Sequence, residues 1–77
     1  MSKQFNGHKN WNHWNVSLWI NNDQGLYDMA RRAVRQARDK RKAAEMLLEE
    51  LEFLGVTHTP DGAPYSVTTI RAAMVEM

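Results

Sequence analysis

The stretch NWNHWNVSLWINND, residues 10–23, decides how the chain folds. It holds all three tryptophans, Trp11, Trp14 and Trp19, among five asparagines. Two periodicities compete in it. As a strand, Trp14, Val16, Leu18 and Ile20 alternate with Asn15, Ser17 and Asn21, and only Trp19 is out of phase. As a helix, it starts at an Asn10 or Asn12 cap. Trp14 and Leu18 then share one face, while Val16, Trp19 and Ile20 share another. Helix is the better reading, because few strand partners occur elsewhere and a lone strand cannot pair its backbone groups. A helix apolar nearly all round is expected to be central and buried. The tryptophans are therefore expected in the core. Each buried aromatic removes roughly 150–250 Å² from water, worth about 3 kcal/mol. Their indole N–H groups need acceptors, which Asn side chains or helix-end carbonyls can supply.

Working outward, NND at 21–23 reads as a stop followed by a start, with Asn22 or Asp23 as the next cap. Leu26, Ala30, Ala33, Val34 and Ala37 then form one helical stripe. Asp28 stands four residues before Arg32, the favourable order for an ion pair on a helix. The stripe resumes with Ala44, Leu47, Leu48, Leu51 and Leu54. One unbroken helix over 24–54 would be ~46 Å long, too long for a compact domain of 77 residues. A break near 38–40, with Asp39 as N-cap, makes an antiparallel pair instead. Gly55 reads as a left-handed helix end. VTHTPDGAPYS carries both prolines and a turn signal, and residues 57–59 are placed to pair with 63–65. Ser66 caps a last helix with Val67, Ile70, Ala73 and Met74 inward. Residues 1–9 read as a flexible tail, with Phe5 folding back on the domain, and residues 10–77 as a single helical domain. The fold class is all-α: a compact four-helix minidomain with a PDG turn or tiny hairpin before the last helix.

Composition narrows the function classes. The chain has no cysteine, so thiol chemistry, disulfides and zinc–thiolate sites are excluded. That suits a reducing cytoplasm. Its start has no apolar run of the signal-peptide kind, and no stretch approaches the ~20 apolar residues of a membrane span. The formal net charge of +1 hides a segregation. Seven of the ten basic residues fall between 31 and 42: Arg31, Arg32, Arg35, Arg38, Lys40, Arg41 and Lys42. Glu45, Glu49, Glu50 and Glu52 follow at once.

Catalytic and metal chemistry find little footing. His8, His13 and His58 are scattered, and no phosphate loop or nucleophile motif occurs. The expectation is a non-enzyme without metal or cofactor. The basic run has a structural reading, a solvated face with cations near a helix C-terminus. Its functional reading is contact with phosphate or an acidic protein surface. The candidate partner contacts are Arg31, Arg35, Arg38, Arg41 and Lys42, with Trp11 as an aromatic anchor.

Two resemblances bear on the partner. Residues 43–74 resemble the helix-turn-helix region of large serine recombinases, through Thr57, Pro60, Gly62, Tyr65, Ser66, Thr69, Ile70 and Arg71. That resemblance implies DNA contact by Thr68, Thr69 and Arg71, with Arg31, Arg32 and Arg35 on phosphates. Residues 7–62 resemble small phage and prophage accessory proteins. The matching residues are Gly7, Asn10, Trp14, Asn15, Val16, Leu18, Trp19, Asn22, Asp23, Gly25, Leu26 and Tyr27, and later Thr59, Pro60, Asp61 and Gly62. His13 and Gln24 depart from that pattern, which favours Thr and Glu. This second resemblance implies a host protein as partner. The leading expectation is thus a small accessory protein that binds and modulates a host protein, in a defence or replication system. The alternative is a small helix-turn-helix regulator of DNA. A homodimer is compatible with either, since Leu- and Met-rich stripes can be shared between two copies.

Overall fold

The computed structural model describes residues 9–75 and Met77. The tail expected over residues 1–9, with Phe5 folded back, lies outside the described residues except for Lys9, which is exposed. Four helices follow in order: α1 (Trp11–Asn22), α2 (Gln24–Gln36), α3 (Lys40–Phe53) and α4 (Val67–Ala73). The protein is all-α. Among the described residues no helix is long and apolar enough to cross a membrane. The radius of gyration, 11.6 Å, matches the roughly 11.5 Å of a compact domain of this length.

Capping chemistry sets the boundaries. The Asn10 side chain accepts the His13 backbone N–H at 3.0 Å and starts α1. Asp23 does two jobs. Its N–H donates to the Trp19 carbonyl at 2.9 Å, closing α1, and its carboxylate accepts the Leu26 N–H at 3.0 Å, opening α2. Its extended backbone turns the chain between the two helices. Asp39 repeats the device, accepting the Lys42 N–H at 2.8 Å. The break expected near 38–40 is therefore present, and α3 packs back on α2. At the end of α3 the Val56 N–H reaches the Leu51 carbonyl at 2.9 Å, and the Gly55 N–H reaches Glu52 at 3.0 Å. This Schellman closure needs the left-handed φ of 79° that Gly55 adopts. Leu54, expected in the apolar stripe, sits on this cap and is 61% exposed, because the helix ends before it can turn inward. Asp28 also departs from expectation: its carboxylate accepts from the Gln24 amide at 2.9 Å instead of pairing with Arg32.

Residues 57–65 form the expected small hairpin. His58 and Pro64 make an isolated antiparallel bridge. The Thr59 N–H donates to Ala63 at 2.8 Å, and the Tyr65 N–H to Thr57 at 3.0 Å. Gly62, at φ 98°, closes the turn by donating to the Thr59 carbonyl at 2.9 Å. Ser66 and Thr69 then form a reciprocal capping box that starts α4.

The helices make a closed ring in which α1 touches α2 and α4, and α3 touches the same two. Its interior is Val16, Ile20, Leu47, Leu51, Ile70 and Met74, filled out by the buried Ala30, Ala33, Ala43, Ala44, Ala63 and Ala73. The tryptophans are not that interior. Trp14 and Trp19 are half-buried, and Trp11 is 40% exposed. Nor is α1 central, since Leu18 also faces out. The reason is geometric. Aliphatic and alanine side chains fill the interior, and an indole at the perimeter keeps its N–H within reach of a polar partner, as Trp19 does.

That partner is Asp61, at the tip of the hairpin. The Trp19 Nε1–H donates to Asp61 Oδ2 at 2.9 Å, and the Asn15 amide donates to the same oxygen at 2.9 Å. Asn15 Oδ1 accepts the Thr59 hydroxyl at 2.6 Å, and Thr59 Oγ1 accepts the Ala63 N–H at 3.0 Å. The hairpin is thereby clamped to α1, and α4, which follows it directly, is placed with it.

The clamp has a pH signature. Hydrogen bonds from Asn15, and then from Trp19, hold the Asp61 carboxyl below its ordinary pKa; slight desolvation opposes them. A lowered folded-state pKa gives stability that is present above the unfolded value and lost as pH falls through the folded one. The melting temperature of Asp61→Asn should lie below wild type at neutral pH, and the gap should narrow below about pH 4. At the alkaline end burial, then the Asp23 charge, raises the Tyr65 phenol. Its contribution is complete below the ordinary tyrosine value and is lost as pH rises through the raised one. A melting series across pH, with Asp61→Asn and Tyr65→Phe, reads both limbs. A constant offset for Asp61→Asn at every pH would remove the carboxylate from the clamp's energetics.

Candidate functional site: a basic face beside the α2–α3 link

The break at Asp39 changes the meaning of the basic run. In one long helix, these cations would lie in its middle. With α3 starting at Lys40, three of them, Lys40, Arg41 and Lys42, occupy its first turn. A helix N-terminus carries partial positive charge, so each cation there is disfavoured by ~0.3–1 kcal/mol. Within the run only Arg35, in the last turn of α2, sits where the dipole favours it, as Arg71 does in the last turn of α4. Stability alone does not call for this arrangement.

Some of the charge is locally offset. Glu45 lies 3.5 Å from Arg41 Nε and 3.7 Å from Lys42 Nζ. Both pairs are exposed, and such pairs contribute little. The Lys40 ammonium donates to the Val75 carbonyl at 2.7 Å, tying the start of α3 to the end of α4. Arg38, in the link, and Arg71, on α4, are exposed, and among the described residues neither has a hydrogen-bond or ion-pair partner.

These residues converge on two adjoining hollows. One, about 650 Å³, is lined by Asp39, Lys40, Arg41, Val67, Thr68 and Arg71. The other, about 290 Å³, is lined by Arg38, Asp39, Arg41, Lys42 and Glu45. Asp39 and Arg41 belong to both, so Arg38, Lys40, Arg41, Lys42 and Arg71 form one continuous basic face. The Asn15–Thr59–Asp61 clamp contributes indirectly, by fixing where α4 lies and hence where Arg71 points.

The candidate residues read from the sequence are thus partly united and partly dispersed. Arg38, Arg41, Lys42, Thr68 and Arg71 are brought together. Arg31 is stacked over the Tyr27 ring, 5.7 Å from its centroid, with its guanidinium 3.5 Å from the phenol oxygen. Arg35 is exposed on α2, and Arg32 lines a different groove. Trp11 sits on α1, which makes no packing contact with α3. Thr69 is a correction: it is 5% exposed and spends its hydroxyl in the capping box, so it cannot meet a base edge. Lys40 is the residue that sequence reasoning passed over. Its signal was the Asp39 cap, which places it in the first turn of α3.

The fold and this face define a small all-α module with a basic end. Over residues 1–77 the chain belongs to the Family of unknown function (DUF7249). No curated protein and no solved structure matches it.

Proposed function

We propose that the protein is a small, non-enzymatic accessory protein of phage type that binds an acidic surface of a host protein and modulates it. The observation that carries this reading is the cationic first turn of α3, set against its own helix dipole and joined by Arg38 and Arg71, which have no partner among the described residues. Cations held where the fold disfavours them point to an external anionic partner. The host assignment rests on the resemblance of residues 7–62 to phage and prophage accessory proteins. The non-enzymatic assignment rests on a sequence without cysteine or a nucleophile motif. In this reading the host protein belongs to a defence or replication system.

DNA binding is the second reading, favoured by Thr68 and Arg71 lying beside Lys40 and Arg41. Three features weigh against it. Thr69 is buried, and α4 has seven residues, about 10 Å of helix. The α3–α4 connection runs from 54 to 66, whereas a helix-turn-helix uses a turn of about 3–4 residues. The face suits phosphates better than base edges.

The test is a double charge reversal, Arg41→Glu with Arg71→Glu, on two exposed positions. Wild-type protein should retain a specific partner from a host lysate, and the variant should lose it. Neither should retard a mixed-sequence duplex at low salt. Duplex binding that weakens with salt, with a logarithmic slope near −0.9 per phosphate engaged, would shift the assignment to DNA. Retention of the same proteins by wild type and variant would remove the basic face from the binding surface.

A further inference from the structure

A second surface lies between α2 and α3. The groove there is about 440 Å³, with Met29 and Met46 along it, Arg32 on the α2 side, and Glu49, Glu50 and Phe53 on the α3 side. Phe53 is 89% exposed, although it ends a helix whose opposite face is core. One exposed aromatic is ordinary, but this one stands beside two half-buried methionines that line the groove, side chains soft enough to adapt to a partner. The charges are ordered too. The α2 rim is basic and the α3 rim acidic, yet among the described residues Arg32 pairs with neither glutamate.

A basic rim facing an acidic rim across an apolar floor is complementary to itself. A two-fold axis along the groove lays the α2 rim of one copy over the α3 rim of the other, and does so twice. Arg32 of each protomer then meets Glu49 and Glu50 of its partner. Each Phe53 covers the partner's methionines. We propose that the occupant of this groove is a second copy of the chain, giving an isologous dimer. A stable interface covers roughly 600 Å² per partner or more, about an eighth of the 4928 Å² protomer surface, an area within reach of two faced helices. The dimer is independent of the basic-face reading, and either can fail without the other.

The two-fold arrangement makes a prediction that no other occupant makes. Arg32→Glu alone should repel its own copy, and so should Glu49→Arg with Glu50→Arg. Mixed together, the two variants should associate, because every rim contact becomes opposite in sign again. Sedimentation velocity from micromolar to millimolar protein reads this directly. Wild type should dimerise, each variant alone should dimerise about tenfold more weakly or worse, and the equimolar mixture should recover the wild-type level. Phe53→Ser should weaken the dimer without altering the helical circular dichroism of the monomer. A wild type that stays monomeric at millimolar concentration assigns the groove to a different partner and overturns the proposal. So does a mixture that associates no better than its parts.

Discussion

Asn15→Ala should lower the stability of the protein by about 3 kcal/mol. The side chain is 1% exposed and uses both ends of its amide. Truncation leaves the Thr59 hydroxyl, itself buried, without its acceptor, and takes one of two donors from Asp61. A buried polar group left unpaired costs ~1–3 kcal/mol, and the lost amide leaves a void in addition. A domain of this length has roughly 4–12 kcal/mol in total. The melting temperature should therefore fall by about 12–24 °C. Asn15→Asp separates hydrogen bonding from shape. It keeps the volume but sets a second carboxylate against Asp61, and repulsion with burial raises its folded-state pKa. A raised pKa gives stability that is present below the unfolded value and lost as pH rises through the folded one. The variant should thus regain stability between neutral pH and about pH 4, the reverse of the Asp61 trend in wild type. Thermal melts of the three proteins at several pH values decide it. A loss under about 0.5 kcal/mol for Asn15→Ala, the level of an ordinary surface change, would mean the clamp does not hold the hairpin.

That network marks the boundary between what the sequence discloses and what it hides. Asn10, Asp23, Asp39 and Ser66 are readable as caps because each acts on an amide three residues away, and local chemistry is written locally. The Ala30–Ala33 and Leu47–Leu51 stripes are readable for the same reason, through helical period. Asp61 is different. In sequence it is a turn residue beside Pro60, and its role as acceptor for Asn15 and Trp19 exists only once the hairpin meets α1. The tryptophan box and the Thr59–Gly62 turn are joined by this contact. The tryptophans misled because their bulk suggests core, while the space between the helices is filled by aliphatic and alanine side chains. The basic face was half legible. Arg38, Arg41 and Lys42 lie together in the chain, but Arg71 joins them only because the clamp and the Lys40–Val75 contact fix α4.

Leu47→Ala should cost about 3–5 kcal/mol, as much as any single substitution in the chain. Leu47 is fully buried on α3, the helix packed against both α2 and α4. Removing three carbons forfeits their transfer energy and leaves a cavity, and the spread of such costs, ~2.7–5 kcal/mol, depends on whether neighbours can collapse inward. Here six of the buried residues are alanines, Ala30, Ala33, Ala43, Ala44, Ala63 and Ala73, with no side-chain rotamer to swing into the space. Collapse would need whole helices to move, and α2, α3 and α4 are each held at their N-terminal ends, by the Asp23 cap, the Asp39 cap and the Ser66 box. The cost should sit in the upper part of the range. Leu47→Met keeps the volume with a flexible chain and should lose less than about 1.5 kcal/mol. Denaturant unfolding with a common slope measures both. A Leu47→Ala loss below about 2 kcal/mol would mean that the ring of helices relaxes, and that the alanine contacts are looser than their burial indicates. It would also predict slack in α4, so that Arg71 would no longer be fixed beside Arg41.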